Sequence, residues 1–169
     1  MRSVINFALF QGVWFMALLL ETRAIIPILC VIGLMVYLSK QKKQDLILIT
    51  FGLVIALTYE YLMVLSGMLY FKQSPFPFWL VLLWCALLLT LNTSMQFLNK
   101  LPWFFSLLVC AISAPASYWA GARFGVITIA VPLLQFWLVY GVAWSCMFNL
   151  IMYLNKRFAQ NSNQSSPKI

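Results

Sequence analysis

Glu21, Asp45 and Glu60 are the only three carboxylates in the chain, and histidine is absent. No two of the carboxylates lie close in sequence, so paired-carboxylate or metal-bridging chemistry lacks its second member. Ser106, Ser113 and Ser117 are available nucleophiles, but without histidine they cannot enter a conventional triad. The cysteines, Cys30, Cys85, Cys110 and Cys146, form no Cys-x-x-Cys pair. Zinc and haem therefore lose their usual ligands, and the four read as small buried core residues. No glycine-rich phosphate loop is present. The inventory predicts no catalytic set, no metal and no cofactor, and it leaves Glu60 as the residue whose setting most needs explaining.

The elements that must position it are set by solvent. Of the 169 residues 64% are hydrophobic and 8% charged, with a mean hydropathy of +0.94. A soluble domain needs more polar surface than that, whereas a bundle in lipid does not. At about 20 apolar residues per crossing, the expected fold is an all-α membrane protein, a bundle of about six transmembrane helices with short loops. The expected spans are 4–20, 24–39, 46–69, 78–98, 103–120 and from about Leu133 onward, with Pro132 dividing the last apolar run. A single helical domain over 1–155 is followed by a polar tail, 156–169, without apolar periodicity and expected to be disordered.

Six spans with a cytoplasmic N-terminus place Arg2, Lys40, Lys42, Lys43, Lys100, Lys156, Arg157 and Lys168 inside, and Arg23, Lys72 and Arg123 outside. That asymmetry follows the positive-inside rule, so both termini are expected in the cytoplasm. The net charge of +8 is divided among short loops and forms no single basic face. The expected partners are therefore membrane lipids, with a membrane-protein partner or a second copy as a further option, and no nucleic acid. Trp79, Trp119, Tyr70 and Phe71 fall at the outer helix ends and Trp103, Tyr37 and Tyr153 at the inner ends, where amphipathic rings favour the headgroup level. Trp14, Trp84, Trp137 and Trp144 lie deeper, either filling gaps between helices or forming a ligand-stacking cage.

Ser106, Cys110, Ser113, Ser117 and Gly121 recur at helical spacing along the fifth span. A stripe of small side chains lets another backbone approach, so Ser113, Ser117 and Gly121 are read as helix-packing positions, with a substrate path as the alternative. Pro115 inside this span should kink it or free a carbonyl. Asn6, Gln11 and Asn92 belong to an inner polar layer, as interhelical glue or binding groups. Glu60 is seven residues before Gly67, on the order of 10 Å below the outer end of its helix. A carboxyl group at that depth must be neutral, hydrated or paired with a cation, and Arg123 is the expected partner.

Asn6-Phe7-x-x-Phe10-Gln11-x-x-Trp14-Phe15, Trp79-x-x-x-x-Trp84 closing on Leu91-Asn92-x-Ser94, and Ala114-Pro115-x-x-Tyr118-x-x-Gly121-Ala122-Arg123-x-Gly125 occur in that order. Together they resemble the small bacterial inner-membrane family known as domain of unknown function 2878, over residues 6 to about 131. The resemblance implies the topology above and a link to lipid modification, but no activity. The family pattern often has Asp where Glu60 stands, and His and Arg near Thr93 and Gln96. The expected role is a structural or accessory membrane component, which the resemblance links to lipid. The alternatives are a small transporter or channel using Glu60 and a lipid-handling membrane enzyme.

Overall fold

The computed structural model describes residues 1–164. Its helices are α1 (Arg2–Leu20), α2 (Ile25–Leu38), α3 (Lys42–Leu65), α4 (Phe78–Leu91), α5 (Trp103–Arg123), α6 (Leu133–Gln135) and α7 (Gly141–Gln164). A π-helical segment, Phe136–Tyr140, joins α6 to α7, and the helical dihedrals of Gln135, Phe136 and Gly141 make one rod of the three. Pro132 has extended dihedrals and ends the preceding loop, so the rod starts where the sequence predicts. Stretches Arg2–Leu38, Lys42–Leu65, Trp103–Arg123 and Leu133–Gln160 are each long and apolar enough to cross a membrane, while α4 is a shorter apolar helix. The chain is an all-α bundle of membrane character.

The first of those stretches is a hairpin. A tight 3-10 turn, Glu21–Ala24, separates α1 from α2, and Glu21 takes φ 49°. Arg2 and Asn6 at the start of α1 line the same small pocket as Met35 and Lys40 at the end of α2, so the two helices lie antiparallel. Each long helix runs between two ends of the bundle. One, the amide end, gathers Ser3, Asn6, Ser39, Gln44, Asp45, Asn92 and Asn155 through side-chain hydrogen bonds. The other, the strand end, carries β1 (Leu69–Phe71) paired antiparallel with β2 (Ile127–Ile129).

These strands are produced by matching helix stops. After α3, Gly67 at φ 72° lets Met68 N–H reach Met63 C=O and Gly67 N–H reach Val64 C=O. After α5, Gly125 at φ 75° lets Val126 N–H reach Gly121 C=O and Gly125 N–H reach Ala122 C=O. Both are Schellman caps, in which a left-handed residue after the helix satisfies the last carbonyls. Each cap turns the chain into one strand of the pair.

α4 is the centre. Only Phe78 along it is exposed, and it packs on α1, α2 and α3, as a helix apolar on all sides should. α7 packs on α3 and most extensively on α5. Gly141 makes the last contact possible, because a Cβ there would lie 2.5 Å from Ala111 O and 3.0 Å from Pro115 Cγ. The outside is apolar, with Ile26, Leu29, Trp103, Phe104, Phe105, Leu108 and Ile112 among its exposed residues. The buried set includes Asp45, Glu60, Asn6, Asn92 and Asn155. Water as solvent would favour the opposite arrangement.

Several expectations need correction. The fourth helix stops at Leu91, short of 98, because Thr93 and Met95 N–H both turn back onto Thr90 C=O and a 3-10 turn, Gln96–Lys100, follows. α3 starts at Lys42, earlier than the expected 46, so Lys42, Lys43 and Asp45 belong to a helix. The last helix continues past Lys156 to Gln164: Phe158 packs on Phe51 at 5.2 Å, and Arg157 bonds Tyr153 one turn earlier. A disordered tail is therefore not what residues 156–164 form, and 165–169 lie outside the described residues. Of the cysteines only Cys110 is buried, while Cys30 and Cys146 are exposed on the outer surface. Trp79, at the strand-end start of α4, is buried and packs on Phe71.

Candidate functional site

Asp45, Leu48, Gly52, Ala56, Tyr59 and Glu60 are the buried residues of α3. Through Tyr59 their spacing is three or four, which keeps one helix face turned inward. That stripe carries both helical carboxylates into the interior, near opposite ends of α3. Gly52 lets the helix close on α4 and α7, a Cβ there meeting Leu88 at 3.0 Å and Ile151 at 3.6 Å.

Glu60 is 0% exposed. Its Oε1 accepts the indole N–H of Trp84 at 3.1 Å and a hydrogen bond from the hydroxyl of Tyr118, so α3, α4 and α5 meet at one atom. Oε2 is buried without a partner among the described residues. Around this carboxyl stands an aromatic cluster. Tyr118 and Tyr140 rings are 4.8 Å apart, Tyr59 and Tyr140 5.6 Å, and Tyr59 donates its hydroxyl to Tyr140 C=O at 3.1 Å. Arg123 takes no part: it is exposed at the end of α5 and lies over the Trp119 ring at 5.2 Å. The expected Glu60–Arg123 pair is replaced by neutral donors, since Arg123 is the exposed last residue of α5. Glu21 pairs with Lys72 at 2.5 Å.

Trp84 and Tyr118 have a second role. Both line a cleft of about 820 Å³ between α1 and α5, floored by α4 and α7, with Phe10, Gln11, Cys110, Ser113, Ser117 and Trp144 also in its walls. Phe7, Phe15, Val109 and Ser113 are exposed there, so the cleft opens sideways, out of the bundle. α1 and α5 are pinned across it where Trp14 donates its indole N–H to Ser117 Oγ at 2.8 Å. Among the described residues none that lines the cleft is charged. Trp144 Nε1 is buried with no partner among the described residues.

The positions of the small-residue stripe thus divide. Gly121 is buried against Ile127 and Leu18, and Pro115 lies against Gly141. Ser113 is exposed in the cleft and Ser117 is half-buried on the Trp14 bond.

At the amide end Asp45, 3% exposed, accepts from Ser39 Oγ and from Asn92 Nδ2 at 2.8 Å. Asn92 Oδ1 in turn accepts from Asn155 Nδ2 at 2.7 Å and from Gln44 Nε2 at 3.3 Å. Asn6 accepts from Ser94 Oγ at 2.6 Å on the flank of this network. Sequence reasoning singled out Asn6 and Asn92 but not Asp45 or Asn155, nor Trp84 and Tyr118 as partners of Glu60. The α3 periodicity was the available signal for Asp45. For the aromatic donors, the signal was that a lone buried carboxyl needs donors and the chain's spans offer chiefly Trp and Tyr.

Residues 3–150 match a family model described as a protein of unknown function (DUF2878). The chain belongs to this family. No curated protein and no solved structure matches the chain. The matched span includes the positions of Glu60 and of every residue lining the cleft, whereas Asn155 of the amide network lies beyond it.

Proposed function

We propose that the chain is a multi-pass protein of a bacterial inner membrane, with six crossings and both termini in the cytoplasm. It acts as a non-catalytic accessory component that holds an apolar chain of a membrane lipid in the cleft between α1 and α5. Six crossings are supported by the alternation of helix ends between the amide end and the strand end. α2 and α4 have 14 residues each, or roughly 21 Å, against a hydrocarbon core of about 30 Å. For α4 that shortfall is tolerable because its end at Asn92 is inside protein, where the amide network satisfies polar groups that lipid could not.

The cleft is the observation that carries the lipid reading. Its volume falls in the ordinary range for ligand sites, its walls are apolar and aromatic with few polar groups, and it faces the medium that the outer surface of the bundle requires. The test is lipid extraction and mass spectrometry of protein purified in mild detergent. Wild type should retain a lipid at a fixed ratio, and Ser113→Phe, which fills the cleft from an exposed position, should lose it while still folding. Equal retention by a folded Ser113→Phe protein would overturn the assignment.

A second reading, a small transporter, is favoured by the unpartnered Oε2 of Glu60 behind the cleft wall. Counterflow in proteoliposomes separates it from the first.

A further inference from the structure

We infer that the cleft between α1 and α5 selects amphiphiles bearing one positive charge, a lipophilic ammonium or phosphonium group seated among Trp84, Tyr118 and Trp144. This rests on the reading of the cleft as a ligand site and adds the chemistry of the ligand's polar group. Glu60 is buried completely, and among the described residues no cationic side chain bonds to it; its partners are an indole and a phenol. An ionised carboxylate in such a place lacks a counter-charge, and a buried charge is tolerated when one is supplied. The cleft is where a cation could supply it, because the rings of the two residues bonded to Glu60 form part of its wall.

Those residues also carry the effect of the charge to the ligand. Trp84 and Tyr118 donate toward Glu60, and hydrogen bonds in a low-dielectric interior polarise one another. Donation to a carboxylate makes an aromatic ring richer in electrons, and electron-rich rings attract cations most strongly when solvent is excluded. Trp144 stacks on Trp84 at 5.6 Å and on Phe148 at 4.6 Å, extending the aromatic wall. An anion would meet the same wall and the carboxylate behind it with the wrong sign. Among the described residues no lysine or arginine lines the cleft to compete for the carboxylate or to repel the ligand.

Tetraphenylphosphonium and tetraphenylborate, of similar size and opposite charge, provide the test on the full chain in detergent. Equilibrium dialysis above the micelle background should show saturable, one-to-one binding of the phosphonium and at least tenfold weaker binding of the borate. Glu60→Gln should weaken phosphonium binding at least tenfold. Equal affinity for the two ions, or a folded Glu60→Gln protein that binds phosphonium as wild type does, overturns the inference. If Glu60→Gln does not fold, the comparison of the two ions on wild type decides alone. Retained lipid without phosphonium selectivity defeats this inference and leaves the lipid assignment intact; selectivity without retained lipid does the reverse.

Discussion

Trp84 on α4 donates its indole N–H to Oε1 of Glu60 on α3 over 3.1 Å, and Tyr118 on α5 directs its hydroxyl at the same oxygen. An indole nitrogen only donates, so Oε1 is an acceptor whatever the charge on Glu60, and any proton on the group resides on Oε2. Glu60→Gln can keep that acceptor and is expected to fold. Glu60→Leu strands two buried donors, at about 1–3 kcal/mol for each unsatisfied group. Thermal melts in detergent should rank wild type, Glu60→Gln and Glu60→Leu in falling order, with Arg123→Gln matching wild type. A large loss in Arg123→Gln would restore the ion pair that the structure replaces.

Gly141 is expected to be the least substitutable glycine. Its Cβ would strike the Ala111 carbonyl, which is backbone and cannot rotate away, whereas at Gly121 the nearest atom is the mobile Cδ1 of Ile127 at 2.8 Å. Gly141→Ala should cost about 1–3 kcal/mol by forcing α5 and α7 apart. Gly12 has no atom within 4 Å of a Cβ, so Gly12→Ala should be neutral or gain up to about 1 kcal/mol from helix propensity. Equal melting temperatures for the Gly12 and Gly141 variants would contradict the packing described.

How far the sequence could be read follows from what each signal measures. Hydropathy measures solvent, and it located the helices and the membrane character of the chain. Gly67 and Gly125 stand just past the helix stops, where left-handed residues are needed, but the expected spans ended at 69 and 120, and three-residue strands carry too little period to detect. Asp45 falls between the expected spans 24–39 and 46–69, just after Lys40, Lys42 and Lys43, and only its place on the α3 stripe reveals its burial. The partner of Glu60 was sought among cations because charge balance is visible in composition. Neutral donors brought in by α4 and α5 depend on how helices rotate about their axes, which hydropathy does not encode.

The Asp45–Asn92 contact predicts a charge-swap rescue. Asn92→Asp places a second carboxylate opposite Asp45, at the site of a 2.8 Å hydrogen bond, and also disturbs the amide of Asn155. Like charges at that range are strongly unfavourable. Expression and melting temperature should fall in Asn92→Asp and recover in part in Asp45→Asn/Asn92→Asp, which restores one charge and one amide. Additive losses in the double variant would show that the two residues do not share the contact.

Orientation is open to a direct assay. Reporter fusions after Lys40, Lys100 and Phe158 should report the cytoplasm, and fusions at Arg23, Lys72 and Arg123 the opposite side. The first three positions belong to the amide end and the others to the strand end, so a mixed pattern within either group would break the six-crossing reading as well as the orientation.

Trp14 and Ser117 make the bond that pins α1 to α5 beside the cleft, at 2.8 Å from indole nitrogen to hydroxyl oxygen. The neighbouring contact of Leu18 with the Gly121 position is van der Waals only. Trp14→Phe keeps an aromatic ring and removes the donor; Ser117→Ala removes the acceptor and leaves the indole N–H with the partly buried environment of the cleft. Each should cost about 1 kcal/mol, the net value of a typical hydrogen bond. Because both changes delete the same interaction, the double variant should cost no more than the larger single, a coupling that independent sites do not show. Spin labels at Phe7 and Val109, both exposed on the cleft rim, should report a broader distance distribution in either variant than in wild type. Additive stability losses together with an unchanged distribution would mean that packing around Leu18 and Gly121, and not this bond, sets the width of the cleft.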